Sequence, residues 1–212
     1  IAPPFTSNDL SNYPDELCEV EVLITGWGAP LLDAEFLAAA PNLKLVLYGA
    51  GSVKKVVTDA FWASGIPITN AANGNGNAVA DYAVGAILMA LKGGWHYARS
   101  LREDKYWHNQ RRNFPGTYET VVGIVSLGMI GRRVCELLRH FEMKVIAYDP
   151  FADQQTASDL GVELVDLETL FKSSHVVSLH TPWLPETVNM ITGDLIALMP
   201  EYGALINTAR GA

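Results

Sequence analysis

Hydrophobic and polar positions along the first half of the chain predict short strands alternating with helices. The apolar runs "EVEVLIT", which ends at Thr25, "LKLVLYGAG" and "GIPITN" are rich in β-branched residues and end in turn-forming residues. Between them, "LLDAEFLAAAP" has helical spacing and a stop at Pro41. Strands that alternate with helices in this way indicate an α/β fold with a parallel sheet.

A long apolar segment and a polar one follow and predict the limit of a domain. "NAVADYAVGAILMALKGG" starts at Asn77 and predicts a long helix that stops at Gly93 and Gly94. It is apolar on nearly every face, which is typical of a helix buried between domains or subunits. The next stretch, "WHYARSLREDKYWHNQRRNFPGTYE", is polar and ends in a Pro-Gly turn, so it predicts the rest of a connecting helix and a linker. We therefore predict domains at 1–94 and 95–212.

The second half restarts the strand–helix pattern more regularly. "TVVGIVS" predicts a strand, and a helix follows from Met129 with apolar residues spaced along one face. "KVIAYDP", "VELVD", "HVVSLHTP" and "GALIN" predict four more strands, Asp166 is placed to cap the helix "LETLFKSS", and Pro200 closes the helix "TGDLIALMP". Apolar strands of this kind favour a doubly wound parallel sheet with helices on both faces.

Composition and charge narrow the class of protein. The 212 residues are 49% hydrophobic and 18% charged, and this balance is typical of a soluble globular protein with one or two domains. The net charge of -8 argues against nucleic acid as the main partner. The longest apolar run, Ala83 to Leu91, is too short to span a bilayer, so no membrane partner is expected. The two cysteines, Cys18 and Cys135, fit neither a metal site nor a disulfide framework and favour a cytoplasmic location.

The stretch "VGIVSLGMIGRR", residues 122–133, resembles a glycine-rich turn that binds phosphate. A P-loop needs a lysine followed by Ser or Thr at the positions of Met129 and Ile130, so the sequence excludes that motif. The dinucleotide motif GxGxxG fits better, as Ser126, Gly128 and Gly131.

The two retained glycines, Gly128 and Gly131, are the ones that matter for phosphate binding and for helix–strand packing. Gly128 would let the backbone approach a pyrophosphate, and Gly131 would let helix and strand pack closely. The helix that begins at Met129 would present free amides to the phosphates. Serine in place of the first glycine costs about 1 kcal/mol only if the turn requires a positive φ at Ser126.

Asp149 strengthens the dinucleotide hypothesis. It ends the second strand of this half, eighteen residues after Gly131, where a carboxylate accepts hydrogen bonds from the adenosine ribose. The following "PFADQQT" contains no Arg or Lys to neutralise a 2′-phosphate, so NAD is favoured over NADP. The alternative is a βαβ unit whose acidic strand end binds no ligand.

Three further loops carry candidate residues. "LHTP" at 179–182 and "NTARGA" at 207–212 follow strands, at the edge of the sheet that binds ligands. Arg210 is a bidentate donor suited to a substrate carboxylate or carbonyl, or else an ordinary surface arginine. His180 is either an acid–base group or a structural histidine. "YGAGSV" at 48–53 is either a backbone nest for an anion or a plain tight turn.

From about Val20 onward the chain resembles the D-isomer-specific 2-hydroxyacid dehydrogenase family, which includes phosphoglycerate dehydrogenases, glyoxylate reductases and formate dehydrogenases. The similarity is strongest in "VVSLHTPWLPETVNMITGDLIALMPEYGALINTARGA". "NLKLVLYGAGSV", "GIPITN" and "VADYAVGAILMALK" resemble landmarks of the family's first domain in the same order.

The resemblance implies a Rossmann-type NAD-binding domain and a smaller flavodoxin-like substrate domain, which is incomplete here. It implies hydride transfer between nicotinamide and C2 of a small 2-hydroxy or 2-oxo acid, with Arg210 as the catalytic arginine. Backbone amides of Ala50, Gly51 and Ser52 would face the substrate carboxylate. The cofactor-binding residues would be Gly128, Met129, Ile130, Gly131, Asp149, His180, Thr181, Pro182, Thr208, Ala209 and Arg210. The long apolar helix packs between subunits in this family, so we expect a homodimer.

Several departures from the family pattern set limits on this expectation. Ser126 replaces a glycine, and Lys54 and Lys55 stand where many members have an Asp-Asn type of pair. The family's catalytic Glu and proton-donating His follow the arginine, whereas this chain ends two residues after Arg210. We therefore expect a fragment, truncated at both ends, that lacks the general acid for efficient turnover. The alternatives are an NAD-sensing, corepressor-like interaction protein on the same fold and an inactive truncated product.

Overall fold

The chain divides into two compact units, Ile1–Gly76 and Asn77–Ala212. The computed structural model describes residues 14–105 and 114–209. The division falls earlier than the predicted boundary at residue 94. The reason is the helix Ala72–Leu91, whose buried residues Ala80, Ile87 and Leu91 belong to the main core of the second unit.

The first unit is a small parallel sheet with short helices. Its strands, β1 to β3, pair in sequential order and occupy Val22–Thr25, Leu45–Tyr48 and Ile68–Asn70. Its helices, α1 to α3, occupy Pro14–Cys18, Ala34–Ala39 and Asp59–Ser64. The core forms around Phe36, Val46 and Phe61, which are all buried. All three predicted strands of this region are present.

The second unit is a five-stranded parallel sheet in the order β6-β5-β4-β7-β8. The strands β4 to β8 occupy Val121–Val125, Lys144–Tyr148, Glu163–Leu164, Val176–Leu179 and Ala204–Asn207. Every residue of β7 is buried, as expected for a strand covered on both faces. The strand order reverses between β4 and β7, and ligands of such sheets bind at the carboxyl ends of the strands beside that switch point.

In the described part of the chain, six helices lie wholly or mainly in the second unit, and those after α4 follow the predicted pattern. They are α4 Ala72–Leu91, α5 Gly94–Asp104, α6 Met129–Leu138, α7 Gln154–Leu160, α8 Leu167–Ser173 and α9 Gly193–Ala197. A short 3-10 helix lies at Pro185–Thr187. As predicted, α6 begins at Met129, and Val134 and Leu138 on its apolar face are fully buried. The predicted cap of α8 is also confirmed, because the Asp166 side chain accepts a hydrogen bond from the Thr169 amide.

Helix α4 differs from its prediction in extent and in burial. It begins at Ala72 rather than Asn77. Its buried residues form one stripe that includes Ala83 and Ile87, while the Tyr82 side chain on another face is 67% exposed. In the ranges 14–105 and 114–209, we find no helix whose length and hydropathy would let it cross a membrane.

Candidate functional site

The turn between β4 and α6 is built by close contact between the backbone of Ser126 and Gly131. A Cβ atom at Gly131 would lie only 2.0 Å from the Ser126 carbonyl oxygen, so no side chain fits there. The close packing of strand and helix predicted for Gly131 is therefore present. Ser126 has a φ of 78°, in the left-handed region that costs most residues about 1–2 kcal/mol. The turn therefore does require a positive φ at Ser126, and a serine is less favourable there than a glycine.

Gly128 has a different environment from Gly131. It is exposed, and the nearest atom to a Cβ built there would be the Ser126 hydroxyl oxygen at 3.9 Å. The space in front of the Gly128 backbone is therefore open, as an approaching phosphate requires.

The amino end of α6 lacks a capping side chain in the part of the chain that the structure describes. Five other helices have one, provided by Asp33, Thr58, Asp153, Asp166 and Thr192. No acidic residue lies in the first turn of α6 either. The amides of Met129, Ile130 and Gly131 and the positive end of the helix dipole are consequently available to an anion.

The Asp149 carboxylate holds the turn together. Its Oδ2 accepts a hydrogen bond of 2.7 Å from the Leu127 amide, and its Oδ1 accepts one of 2.8 Å from the Phe151 amide. Each oxygen keeps a further lone pair, so the half-buried carboxylate can still accept from ribose hydroxyls. Asp149 thus orders the turn between β4 and α6, and its ribose-binding role stays a prediction.

Arg132 is a supporting residue that the sequence analysis missed. Its Nε donates a hydrogen bond of 2.7 Å to the Leu127 carbonyl oxygen. Because the Leu127 amide donates to Asp149, both main-chain polar groups of Leu127 are hydrogen-bonded to side chains. The available signal was the position of Arg132 directly after the last glycine in "GMIGRR".

His180 is a structural histidine in this fold. Its Nε2 lies 3.0 Å from the Ser178 hydroxyl, and its Nδ1 lies 3.1 Å from the Thr208 hydroxyl. Burial lowers the pKa of His180 to about 4, so the ring is neutral at neutral pH. With both ring nitrogens engaged, the side chain ties the ends of β7 and β8 together. The structural alternative for His180 therefore describes it better than an acid–base role.

The two loops after β7 and β8 meet at one small cavity of about 70 Å³. Among its lining residues are the predicted cofactor residues Thr181, Pro182 and Ala209. The His180 amide donates to the Val125 carbonyl oxygen at 2.9 Å, so these loops and the glycine turn share one edge of the sheet. Arg210, the predicted catalytic arginine, lies outside the described residues.

In the first unit, the predicted substrate residues form the turn after β2. Ala50 is buried, and its carbonyl oxygen accepts a hydrogen bond of 2.9 Å from the Ala71 amide. Among the described residues, the amides of Gly51 and Ser52 have no hydrogen-bond acceptor. The nearest atom to a Cβ at Gly51 would be Asn75 Nδ2 at 4.0 Å, so the turn is open in front of Gly51. Two free amides beside open space can bind an anion.

Within residues 14–105 and 114–209, no group of three or more His, Cys, Asp or Glu side chains is arranged to hold a metal ion.

Comparison with known families identifies the second unit. Residues 84–212 match the family model described as D-isomer specific 2-hydroxyacid dehydrogenase, NAD binding domain. This match covers the glycine turn, Asp149 and both loops after β7 and β8.

Individual relatives extend the similarity into the first unit. The chain is 35% identical over 185 residues to D-3-phosphoglycerate dehydrogenase of Mycobacterium tuberculosis, covering 86% of this chain and 34% of that protein. It is 33% identical over 196 residues to hydroxypyruvate reductase of Thermotoga maritima, covering 91% of this chain and 61% of the relative. The chain therefore spans about a third of the curated phosphoglycerate dehydrogenases that it matches.

Solved structures agree on the fold. NAD-dependent formate dehydrogenase from Staphylococcus aureus in complex with NAD has a TM-score of 0.71 and 28% identity, covering 96% of this chain and 61% of that one. D-lactate dehydrogenase from Aquifex aeolicus, complexed with NAD and lactic acid, has a TM-score of 0.69 and 27% identity, covering 93% of this chain and 59% of that one.

Proposed function

Because the chain belongs to the D-isomer-specific 2-hydroxyacid dehydrogenase family, we propose that it serves NAD-dependent hydride transfer at C2 of a small 2-hydroxy or 2-oxo acid. The cofactor is NAD, and the second unit is the domain that binds it. When bound, the nicotinamide supplies or accepts the hydride.

The observation that carries this proposal is the cradle at the start of α6. Gly128 leaves its backbone accessible, the first-turn amides are uncapped, and Gly131 brings the helix against β4. Asp149 lies beside this cradle, and each of its carboxylate oxygens can accept one more hydrogen bond, from a ribose hydroxyl. These residues fit a dinucleotide: amides and a helix dipole for its pyrophosphate, and a carboxylate for its sugar.

On the substrate side, the free amides of Gly51 and Ser52 suit a carboxylate. Arg210 is assigned the binding and polarisation of the 2-oxo group by family resemblance, and its fixed positive charge suits that role. The buried, neutral His180 holds the loop that carries Thr181 rather than exchanging protons with substrate.

The preference for NAD over NADP tests the ribose part of the site. A 2′-phosphate at this position would face the Asp149 carboxylate, and no Arg or Lys follows in "PFADQQT" to offset the repulsion. In a fluorescence titration, NADH should therefore bind at least tenfold more tightly than NADPH. Equal affinities for the two nucleotides would contradict the role of Asp149.

Turnover is tested by following NADH absorbance with pyruvate, hydroxypyruvate and glyoxylate as separate substrates. Loss of NADH absorbance with at least one acid is expected, and Arg210→Gln should remove most of it while NADH binding is retained. A protein that binds NADH but oxidises it with none of these acids would contradict the dehydrogenase assignment.

A further inference from the structure

Ser126 occupies the position of the first glycine in the dinucleotide motif and keeps the backbone conformation that a glycine would have there. Its φ is 78°, and its amide donates a hydrogen bond of 2.8 Å to the Tyr148 carbonyl oxygen at the end of β5. The pairing of β4 with β5 therefore fixes this conformation in spite of the side chain. A glycine would adopt it without strain, so the serine is unfavourable for the backbone.

The orientation of Ser126 places its hydroxyl on the side of the turn that faces Gly128. The Ser126 carbonyl oxygen faces α6, since it lies 2.0 Å from a Cβ built at Gly131. The hydroxyl oxygen lies on the side of Gly128, 3.9 Å from the Cβ that Gly128 lacks. That missing Cβ marks the open space through which the Gly128 backbone can be approached.

The Ser126 hydroxyl also has a hydrogen-bonding capacity that the fold leaves unused. Within the described residues it makes no hydrogen bond, and the residue is only partly exposed. A hydroxyl can donate one hydrogen bond, and phosphate oxygens are strong acceptors. The uncapped amides of α6 would attract the phosphates to the same place.

We propose that the Ser126 hydroxyl is an additional ligand of the dinucleotide pyrophosphate, donating a hydrogen bond to a phosphate oxygen. This inference rests on the proposed NAD-dependent function and adds a residue to its binding site. On this view the replaced glycine is not a defect of the motif. The strained backbone is retained because the side chain that causes the strain also contacts the ligand.

Two substitutions separate the hydroxyl from the strain. Ser126→Ala removes the hydroxyl and keeps a side chain at positive φ, whereas Ser126→Gly removes both. Affinity for NADH, measured by fluorescence titration, should fall about tenfold in both variants, because a hydrogen bond to a charged group is lost. The midpoint of thermal unfolding without nucleotide should rise in Ser126→Gly alone, by about 2–4 °C. Ser158→Ala, in the exposed part of α7, is the matched control and should change neither quantity.

The outcomes are distinguishable from failure of the proposed function. If the unsubstituted chain binds no NADH, the proposed function and this inference fall together. If it binds NADH and Ser126→Ala binds as tightly, only the role of the hydroxyl is refuted. Recovery of full affinity in Ser126→Gly would also overturn the inference, because it would assign the loss in Ser126→Ala to the backbone.

Discussion

Replacing Gly131 with alanine tests whether the close packing of α6 against β4 supports both the stability of the fold and the binding of NADH. The added methyl group would lie 2.0 Å from the Ser126 carbonyl oxygen and 3.1 Å from its carbonyl carbon. Ordinary contacts are near 3.5 Å, so α6 must move away from β4 by more than 1 Å. The atom in the way belongs to the backbone and cannot rotate aside. The displacement would loosen the contacts of Val134 and Leu138, which are fully buried.

The expected loss of stability follows from two opposing effects. Overpacking of this kind costs about 1–3 kcal/mol, and a rigid backbone neighbour places Gly131→Ala at the upper end. Alanine inside a helix regains about 1 kcal/mol relative to glycine. The clash exceeds this gain, so the net loss in free energy of unfolding is about 2 kcal/mol. For a chain of this size the midpoint of thermal unfolding should fall by about 4–8 °C.

The assay compares thermal unfolding and NADH titration in three alanine variants. Gly131→Ala should lose both stability and affinity. Gly128→Ala should lose affinity with a smaller change in stability, because its methyl group meets no atom closer than 3.9 Å but fills the approach to the phosphates. Gly193→Ala, at the start of α9 with no atom within 4 Å of the new Cβ, is the control for both measurements.

Either of two results would refute this explanation of the turn. If Gly131→Ala unfolds at the same temperature as Gly193→Ala, the close contact with Ser126 is not present in solution. If Gly128→Ala binds NADH as tightly as the unsubstituted chain, the open face of Gly128 is not the approach to the phosphates.

Two further predictions concern buried titratable groups. Between about pH 6.5 and pH 4 the unfolded chain protonates His180 and the folded chain does not, so the free energy of unfolding should decrease by about 3 kcal/mol as the pH falls through this range. Denaturant titrations at several pH values would measure this, and His180→Gln should flatten the profile; an unchanged slope in that variant would contradict the assignment. Burial raises the pKa of the Cys135 thiol to about 12, whereas Cys18 is exposed. Mass spectrometry after brief alkylation should thus find label on Cys18 alone in the folded chain and on both thiols after denaturation, and rapid labelling of native Cys135 would argue against its burial.

Features of the fold that depend on neighbours in sequence could be predicted. The helix from Met129 follows from the spacing of its apolar residues, and the cap at Asp166 follows from residue type and position. The predicted start of α4 at Asn77 is wrong because "ANGNG" contains residues with low helix propensity, and packing outweighs this weak preference.

Features of the site that depend on distant residues could not be predicted. The hydrogen bond from the Leu127 amide to Asp149 joins residues 22 positions apart, and the contact of His180 with Thr208 joins residues 28 positions apart. Each forms because parallel strands bring their carboxyl ends together. The left-handed conformation of Ser126 likewise depends on the hydrogen bond from its amide to the Tyr148 carbonyl oxygen, 22 positions away, which residue type alone does not reveal.

The two roles of Asp149, the observed one in the turn and the proposed one at the ribose, would constrain how cofactor choice can evolve in this chain. If Asp149 faces the ribose as proposed, a change from NAD to NADP would require removal of the charge that repels the 2′-phosphate. Here the same carboxylate also accepts the Leu127 amide, so exchanging it first would disorder the turn before any new preference appeared. The Phe151 side chain is 92% exposed and adjacent to the site, so it can change without disturbing the core. We therefore expect a viable route to begin with a basic residue at position 151 and to reach Asp149 last, and directed evolution toward NADPH should recover mutations in that order.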